Sequence, residues 1–197
     1  MLRACRHLWV LIDCSQRSRC GYRGRLSFDV LLKWMSNQLS FVVRSSPICE
    51  GEPDAIVDFE IDSESVWQRM RRLEPQLMAS PQASNPDGTF VGVSAWIVRG
   101  REDAYRTGHH PGYRGRWAGL LPLLACSDCG WEGCGGIWTR IFVGPKRVFW
   151  SGLGFSGAGE GFKPVYDPTT FVFDRSDYDA TFTALLERIR LAESAAE

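Results

Sequence analysis

Apolar positions recur along this chain with two different periods, and the switches between them mark out its elements. Phe28, Leu31, Leu32, Met35 and Leu39 follow helical spacing, with Ser27 as a capping residue and Asp29 in the first turn. Phe41–Arg44 reads as a short strand. Ser45–Asp54 carries Pro47, Gly51 and Pro53 and reads as a loop that contains Cys49. Ala55–Ile61 is rich in Val, Ile and Phe and partly alternates, which predicts a strand. A helix is then expected to open at Asp62 or Ser63. Val66, Met70, Leu73 and Leu77 fall on one of its faces with Trp67 alongside, and Pro75 ends or bends it. Arg69, Arg71 and Arg72 fall largely elsewhere and read as a solvated outer face.

The second half is richer in strand patterns. Ser80–Gly88 is a loop with Pro81, Pro86 and the turn pair Asp87-Gly88, and Thr89–Val98 reads as the clearest strand of the chain. Gly100–Arg116 is polar and glycine-rich, a loop long enough to be functional, and it holds His109 and His110. In an extended segment those two neighbours point to opposite sides, so at most one faces a given site. Leu120–Ala125, Ile137–Val143 and Lys146–Trp150, the last two joined by a reversal at Gly144-Pro145, predict an antiparallel meander. Ser151–Gly161 reads as a glycine-rich loop. Lys163–Val172 reads as a strand that Pro164 and Pro168 confine to an edge. A C-terminal helix follows, with Ser176 as cap, Asp177 and Asp179 at its positive end, and a stripe of Tyr178, Phe182, Leu185, Leu186, Ile189 and Ala192. The element order predicts the α+β class: a mainly antiparallel sheet, a meander around a cysteine turn, packed with two or three helices including the C-terminal one.

Composition narrows the function classes. The 197 residues are 44% hydrophobic with no net charge, which predicts a folded chain and disfavours a broad phosphate-binding surface, so a nucleic-acid partner is not expected. No apolar run approaches the ~18 residues of a membrane helix. Lys33, Lys146 and Lys163 are the only lysines among 23 basic residues, but the arginines form no cluster that points to anion binding. Residues 1–25 stand apart. Arg3, Arg6, Arg17, Arg19, Arg23 and Arg25 face a single acid, Asp13, and the segment reads as a basic, poorly ordered extension ahead of one domain over 26–197. Its Cys5, Cys14 and Cys20 match no zinc-site spacing. The apolar run Leu8–Ile12 is short for a signal-peptide core and ends at Asp13, which favours a cytoplasmic chain whose thiols are reduced or metal-bound. The odd number of cysteines, seven, points the same way.

The candidate chemistry is concentrated in Cys126–Gly136, which places three of those seven cysteines within nine positions between two predicted strands. Cys126-x2-Cys129-Gly130 has the form of a zinc knuckle, in which two thiolates three residues apart on a tight turn bind one tetrahedral ion. The glycine lets backbone N–H groups turn toward the sulfurs. Cys134 supplies a third ligand. A fourth would come from His109, His110, Cys49, Asp128 or Glu132. Three readings stay open: a Zn2+ site, small apolar side chains at a hairpin tip, and a redox thiol pair.

Cys126-x2-Cys129-Gly130-x3-Cys134-Gly135, followed by a β-rich run ending in Val148-x-Trp150, resembles a family of uncharacterised bacterial proteins. Val57-Asp58-Phe59-Glu60-Ile61-Asp62 before a short helix, and Phe171-Val172-Phe173-Asp174 before the last helix, are similar to it too. The resemblance covers roughly residues 55–190 and leaves out His109 and His110. It implies an α+β domain of bacterial origin and carries no activity.

Other motifs are weaker. Gly152-Leu-Gly154-Phe-Ser-Gly157 spells G-x-G-x-x-G, but Pro164 and further glycines follow where a dinucleotide site needs a helix start. Gly154-Phe-Ser156-Gly-Ala158 approaches a nucleophile elbow and ends in alanine. Asp58, Glu60 and Asp62 share a strand face and read as solvated carboxylates ahead of acid/base or metal ligands. Trp96, Trp117, Trp131, Trp138 and Trp150 read as core and interface packing, since no basic residues interleave them. The leading expectation is a soluble bacterial accessory or interaction domain, with a protein as its partner and a structural zinc at the cysteine turn. The alternatives are a thiol-redox or metal-dependent enzyme using Cys126, Cys129 and Cys134, and a nucleotide or small-molecule binder using the Gly152–Gly161 loop.

Overall fold

Strand pairing follows chain order almost throughout in the computed structural model, which describes residues 36–46, 54–78, 90–109, 119–127, 130, 134–157 and 163–194. β1 (Leu39–Ser46), β2 (Asp54–Ile61), β4 (Phe90–Ser94), β5 (Leu120–Cys126), β6 (Gly135–Val143), β7 (Arg147–Gly157) and β8 (Lys163–Asp174) lie side by side in that order, and the two-residue β3 (Glu64–Ser65) pairs with β2. Every pairing is antiparallel. Helices α1 (Val66–Leu73) and α2 (Pro75–Met78) precede β4, α3 (Ala95–Gly100) and α4 (Glu102–Thr107) follow it, and α5 (Arg175–Ser194) ends the described chain. This is the expected α+β arrangement, and β5, β6 and β7 form the expected meander.

The sheet turns at β4. Val93 and Ser94 pair with Val57 and Ile56 of β2, whereas Phe90, Val91 and Gly92 pair with Cys126, Ala125 and Leu124 of β5. Each end of this short strand therefore serves a different neighbour. The curvature brings the two edges of the sheet together. The Asn37 N–H donates to the Val172 carbonyl, and the Val172 N–H donates to Asn37 Oδ1, both at 2.7 Å. Seven strands in alternating directions leave β1 and β8 parallel at this seam.

The apolar stripe of α5 faces β1, β2, β7 and β8. Tyr178, Phe182, Leu185 and Ile189 are buried, Leu186 is half-buried and Ala192 is exposed, so the stripe narrows toward the C-terminus. It meets Phe59, Tyr105, Trp150 and Phe173, with ring centroids 4.9–6.2 Å apart. A hydrogen-bond chain runs through these rings. Trp150 Nε1 donates to the Tyr178 hydroxyl at 3.2 Å, which donates to the Tyr105 carbonyl at 2.8 Å, and the Tyr105 hydroxyl donates to the Pro122 carbonyl. Burial pushes the Tyr178 phenol well above its ordinary pKa, and the hydrogen bond from Trp150 opposes that only in part. The Tyr178 phenol is thus neutral, and both buried hydroxyls donate hydrogen bonds, as a dry core requires.

Several boundaries differ from the sequence expectation. Leu39 opens β1 instead of closing a helix, and residues 26–35 lie outside the described residues, as do residues 1–25. Ser45, Ser46 and Asp54 belong to strands, and the rest of the Ser45–Asp54 loop is not described. Asp62 and Ser63 do not open α1. They form a turn with φ of 54° and 67°, and the helix starts behind Ser65, whose side chain forms a reciprocal capping box with Gln68. Leu73 is the last residue of α1, and Pro75 starts the next helix. The Thr89–Val98 strand stops at Ser94 because α3 takes over. Ala95, Ile97 and Val98 point inward there while Trp96 is 52% exposed, a helical distribution. Within Gly100–Arg116, Glu102–Thr107 is helical and buries Ala104 and Tyr105.

The cap of α5 is Asp174, not Ser176. Its Oδ1 accepts the Ser176 N–H at 3.0 Å and the Ser176 hydroxyl at 2.6 Å, and its Oδ2 pairs with Arg147. The Ser176 hydroxyl bond, joined by the Ser176 N–H and by Arg147, holds this carboxyl below the usual aspartate pKa against the opposing effect of burial. A folded-state pKa below the unfolded value stabilises the protein above the unfolded pKa, and the benefit disappears as pH falls through the folded pKa. Asp174→Asn is therefore expected to flatten the dependence of urea stability on pH across the acid range below the ordinary aspartate pKa. An unchanged slope would show that this carboxylate does not contribute.

Candidate functional site

The cysteine turn grows out of the β5–β6 hairpin. Leu124 pairs with Ile137 and Ala125 with Gly136, so Cys126 ends β5 where Gly135 begins β6, and Cys134 is the next residue out. Adjacent strands are about 5 Å apart, which starts the two thiols from neighbouring backbone positions at the hairpin mouth. Cys126 is also held from its other side, because it pairs with Phe90 of β4. The Gly130 N–H donates to the Cys126 carbonyl at 2.8 Å. Gly130 closes this turn with φ of 66°, a left-handed backbone that favours glycine and stops the turn from continuing as a helix. This is the glycine that follows the second cysteine in the knuckle pattern. Cys129, Asp128 and residues 131–133 lie outside the described residues.

The floor of the turn is closed. Ser127 is 5% exposed, and Gly130 and Gly135 are buried. The Phe155 ring lies over Gly135, with Phe90 beside it at 6.1 Å between centroids. Cys126 is half-buried and Cys134 is exposed. The sequence did not single out Ser127, Phe90 or Phe155 as parts of this environment. They are brought here by strand pairings and ring contacts that no local motif encodes.

Among the described residues, no three His, Cys, Asp or Glu side chains gather closely enough to hold an ion. With Cys129 outside those residues, the structure brings Cys126 and Cys134 to one turn and leaves the third thiol to the sequence pattern. It removes one candidate for the fourth ligand. His109 follows Gly108, where an added Cβ would lie 3.0 Å from the Ile141 carbonyl oxygen. Ile141 and Gly135 are six strand residues apart on β6, or about 20 Å at 3.3 Å per residue. An exposed His109 whose N–H is bonded to Thr107 Oγ1 at 3.2 Å sits at the wrong end of the strand. His110, Cys49 and Glu132 lie outside the described residues.

The remaining motifs resolve into structure. Residues 151–157 are not a loop but the continuation of β7, with Gly157, Ser156, Phe155, Gly154 and Leu153 paired to β6. Gly152, at φ 72°, is skipped in the pairing to both neighbours and is a bulge residue. The G-x-G-x-x-G match thus has no phosphate-binding shape, and Ser156 is a ladder residue and not a nucleophile elbow. The rest of the expected loop, residues 158–161, is not described. The three acids go separate ways. Asp58 pairs with Arg44 at 2.8 Å, Glu60 accepts the Ser40 hydroxyl at 2.9 Å, and Asp62 accepts Asn37 Nδ2 at 2.6 Å and the Gln38 N–H at 2.8 Å. Around α1, Glu64 pairs with Arg69 and Arg72, while the Arg69 and Arg71 guanidinium groups lie over the rings of Phe171 and Trp67. These arginines are spent on packing within the fold.

A cavity of about 280 Å³ lies beside the seam, lined by Asn37, Ser40, Ser63, Asp174, Tyr178 and Thr181 among others. Several of its polar groups are those already engaged in the seam and the α5 cap. Among the described residues no helix is long and apolar enough to cross a membrane. No protein-family profile, curated protein or solved structure matches the chain.

Proposed function

We propose that this chain is a bacterial accessory or interaction domain whose Cys126–Gly136 turn holds a structural zinc ion through Cys126, Cys129 and Cys134. The observation that carries the reading is the Gly130 turn: its N–H bonds back to the Cys126 carbonyl at the mouth of a hairpin that delivers Cys134 from the opposite strand. Turns of this shape suit thiolate–zinc coordination, and an ion there would tie β5 to β6 where the ladder ends. This reading goes with a reducing compartment, the cytoplasm, because thiolates must stay unoxidised to bind metal. The thiol-redox alternative is less well supported. It needs a low-pKa cysteine at the N-terminus of a helix, and the left-handed Gly130 ends the turn four residues after Cys126.

Metal analysis of the full-length protein tests the reading, with Cys126→Ser and Cys134→Ser beside it. One zinc per chain is expected, lost in both variants together with a lower melting temperature. A metal-free protein whose thiols cycle with a dithiol reductant would replace the structural reading by the redox one. Zinc retained by both variants would place the ion elsewhere.

A further inference from the structure

An aromatic pair lies open on the outer face of the sheet. On β6, Arg140 and Phe142 flank the core residue Ile141, so both point away from the core. Phe142 is 52% exposed and pairs directly with Phe149 of β7, which is 36% exposed. Phe149 pairs in turn with the half-buried Val172 of β8. Opposed residues on neighbouring strands stand about 5 Å apart, so two aromatic side chains leave the sheet next to each other. On one side of this row lie Arg140, Ser151 and Thr170. On the other side lie the ion-paired Arg147 and Asp174, with exposed Lys146 at the turn. The charges of Arg147 and Asp174 cancel, and Arg140 and Lys146 leave the face cationic.

We propose that this face binds single-stranded nucleic acid, with Phe142 and Phe149 as stacking platforms for two unpaired bases and Arg140 and Lys146 toward the phosphates. Sheets that carry exposed aromatic side chains on neighbouring strands take single strands in this way, because every base has a π-face. Ser151 and Thr170 add hydroxyls beside Arg140. A protein partner fits the face less well. The apolar row is one residue deep and is bounded by polar or charged rows, whereas a stable protein interface covers about 800 Å2 on each partner. The chain has no net charge and the face few cations, so the expected dissociation constant is on the order of 1–100 µM and rises with salt. Phe142 is seven residues along β6 from Gly135, or about 23 Å at 3.3 Å per residue. The inference therefore goes beyond the zinc reading and does not rest on it.

The test is fluorescence anisotropy of a dye-labelled oligothymidylate of about 12 nucleotides, titrated at low salt with full-length protein to about 100 µM. Binding is expected, weakened about tenfold by Phe142→Ala or Phe149→Ala and kept by Phe142→Trp. Phe142→Leu keeps an apolar side chain without a π-face, and is expected to weaken binding as alanine does. Arg140→Gln is expected to reduce the slope of log K against log salt by about 0.7, the share of one phosphate contact. Far-UV circular dichroism is expected to be unchanged in every variant, since these side chains lie outside the core. A flat titration of the parent would overturn the proposal, as would binding that the alanine and leucine variants retain. Self-association in sedimentation that Phe142→Ala abolishes, with the oligonucleotide left unbound, would also overturn it and give the face to a second copy of the chain. None of these outcomes changes the metal content of the turn, so this inference and the zinc reading fail separately.

Discussion

Replacing Trp150 by alanine is expected to lower the unfolding free energy by about 3–5 kcal/mol, the usual cost of removing a large aromatic from a closed core. Trp150 is fully buried. Its ring meets Phe59 and Tyr178 edge-on and Phe173 at 68°, with centroids 5.2–6.2 Å apart. Three structural elements therefore lose contact at once: β2, β8 and α5. The polar loss adds to it, because the Tyr178 hydroxyl accepts the indole N–H. Against a typical total of about 5–15 kcal/mol, the loss is a third or more of the stability of most domains and leaves a protein at the low end of that range marginal or unfolded. Urea titration followed by circular dichroism measures the loss. Tyr178→Phe separates the two contributions: it keeps the ring and strands the indole N–H and the Tyr105 carbonyl, at a cost of about 1–3 kcal/mol. A Trp150→Ala variant within about 1 kcal/mol of the parent would show that the ring cluster is not the centre of the core.

Gly136→Ala is expected to cost roughly 1–3 kcal/mol by overpacking and, on the zinc reading proposed above, to weaken zinc retention at the same time. A Cβ at this position would lie 2.4 Å from the Leu124 carbonyl oxygen and 3.2 Å from Trp138 Nε1. The first contact is with backbone, so relief requires β5 and β6 to separate. That separation falls one residue from the point where Cys126 leaves β5 and Gly135 enters β6. Gly100→Ala is the matched control. An added Cβ meets nothing within 4 Å there, and the residue ends α3, so alanine is expected to be neutral or to stabilise by up to about 0.5–1 kcal/mol. Paired urea titrations and zinc measurements on the two variants check both statements. Equal behaviour of the two would remove the close-approach argument.

The parts of the fold that can be read from the sequence are those where side-chain period and burial agree. β2 alternates and pairs on both sides, and β5–β7 are apolar runs separated by a reversal at Gly144, whose N–H bonds to the Arg147 carbonyl. The run from Phe90 to Val98 misleads because, Ser94 apart, it is apolar or small throughout and carries no period, so its change from strand to helix shows only as that one serine. Glu102–Thr107 looks like loop because Ala104 and Tyr105 are its only buried residues, too few to show a stripe. The glycines of β7 look like loop punctuation, yet Gly154 is a ladder residue paired with Trp138 and Gly152 is a bulge. At the candidate site the cysteine spacing is legible. The depth of each thiol is not, since it depends on Phe90 and Phe155 arriving from other strands. Nor is the placement of His109, which is set by a contact between Gly108 and the middle of β6.

The seam between Asn37 and Val172 also governs how the chain can reach its native state. The hydrogen bond that closes it joins residues 135 positions apart. During synthesis the meander of β5, β6 and β7 can form from nearby segments, but the edges of the sheet cannot meet until β8 and the start of α5 have left the ribosome. Closing a loop of that length costs on the order of 4 kcal/mol in chain entropy beyond a constant, and local pairing must be in place to offset it. Joining of the first strand to the last is therefore a late event in folding, and until it occurs both sheet edges stay open to other chains.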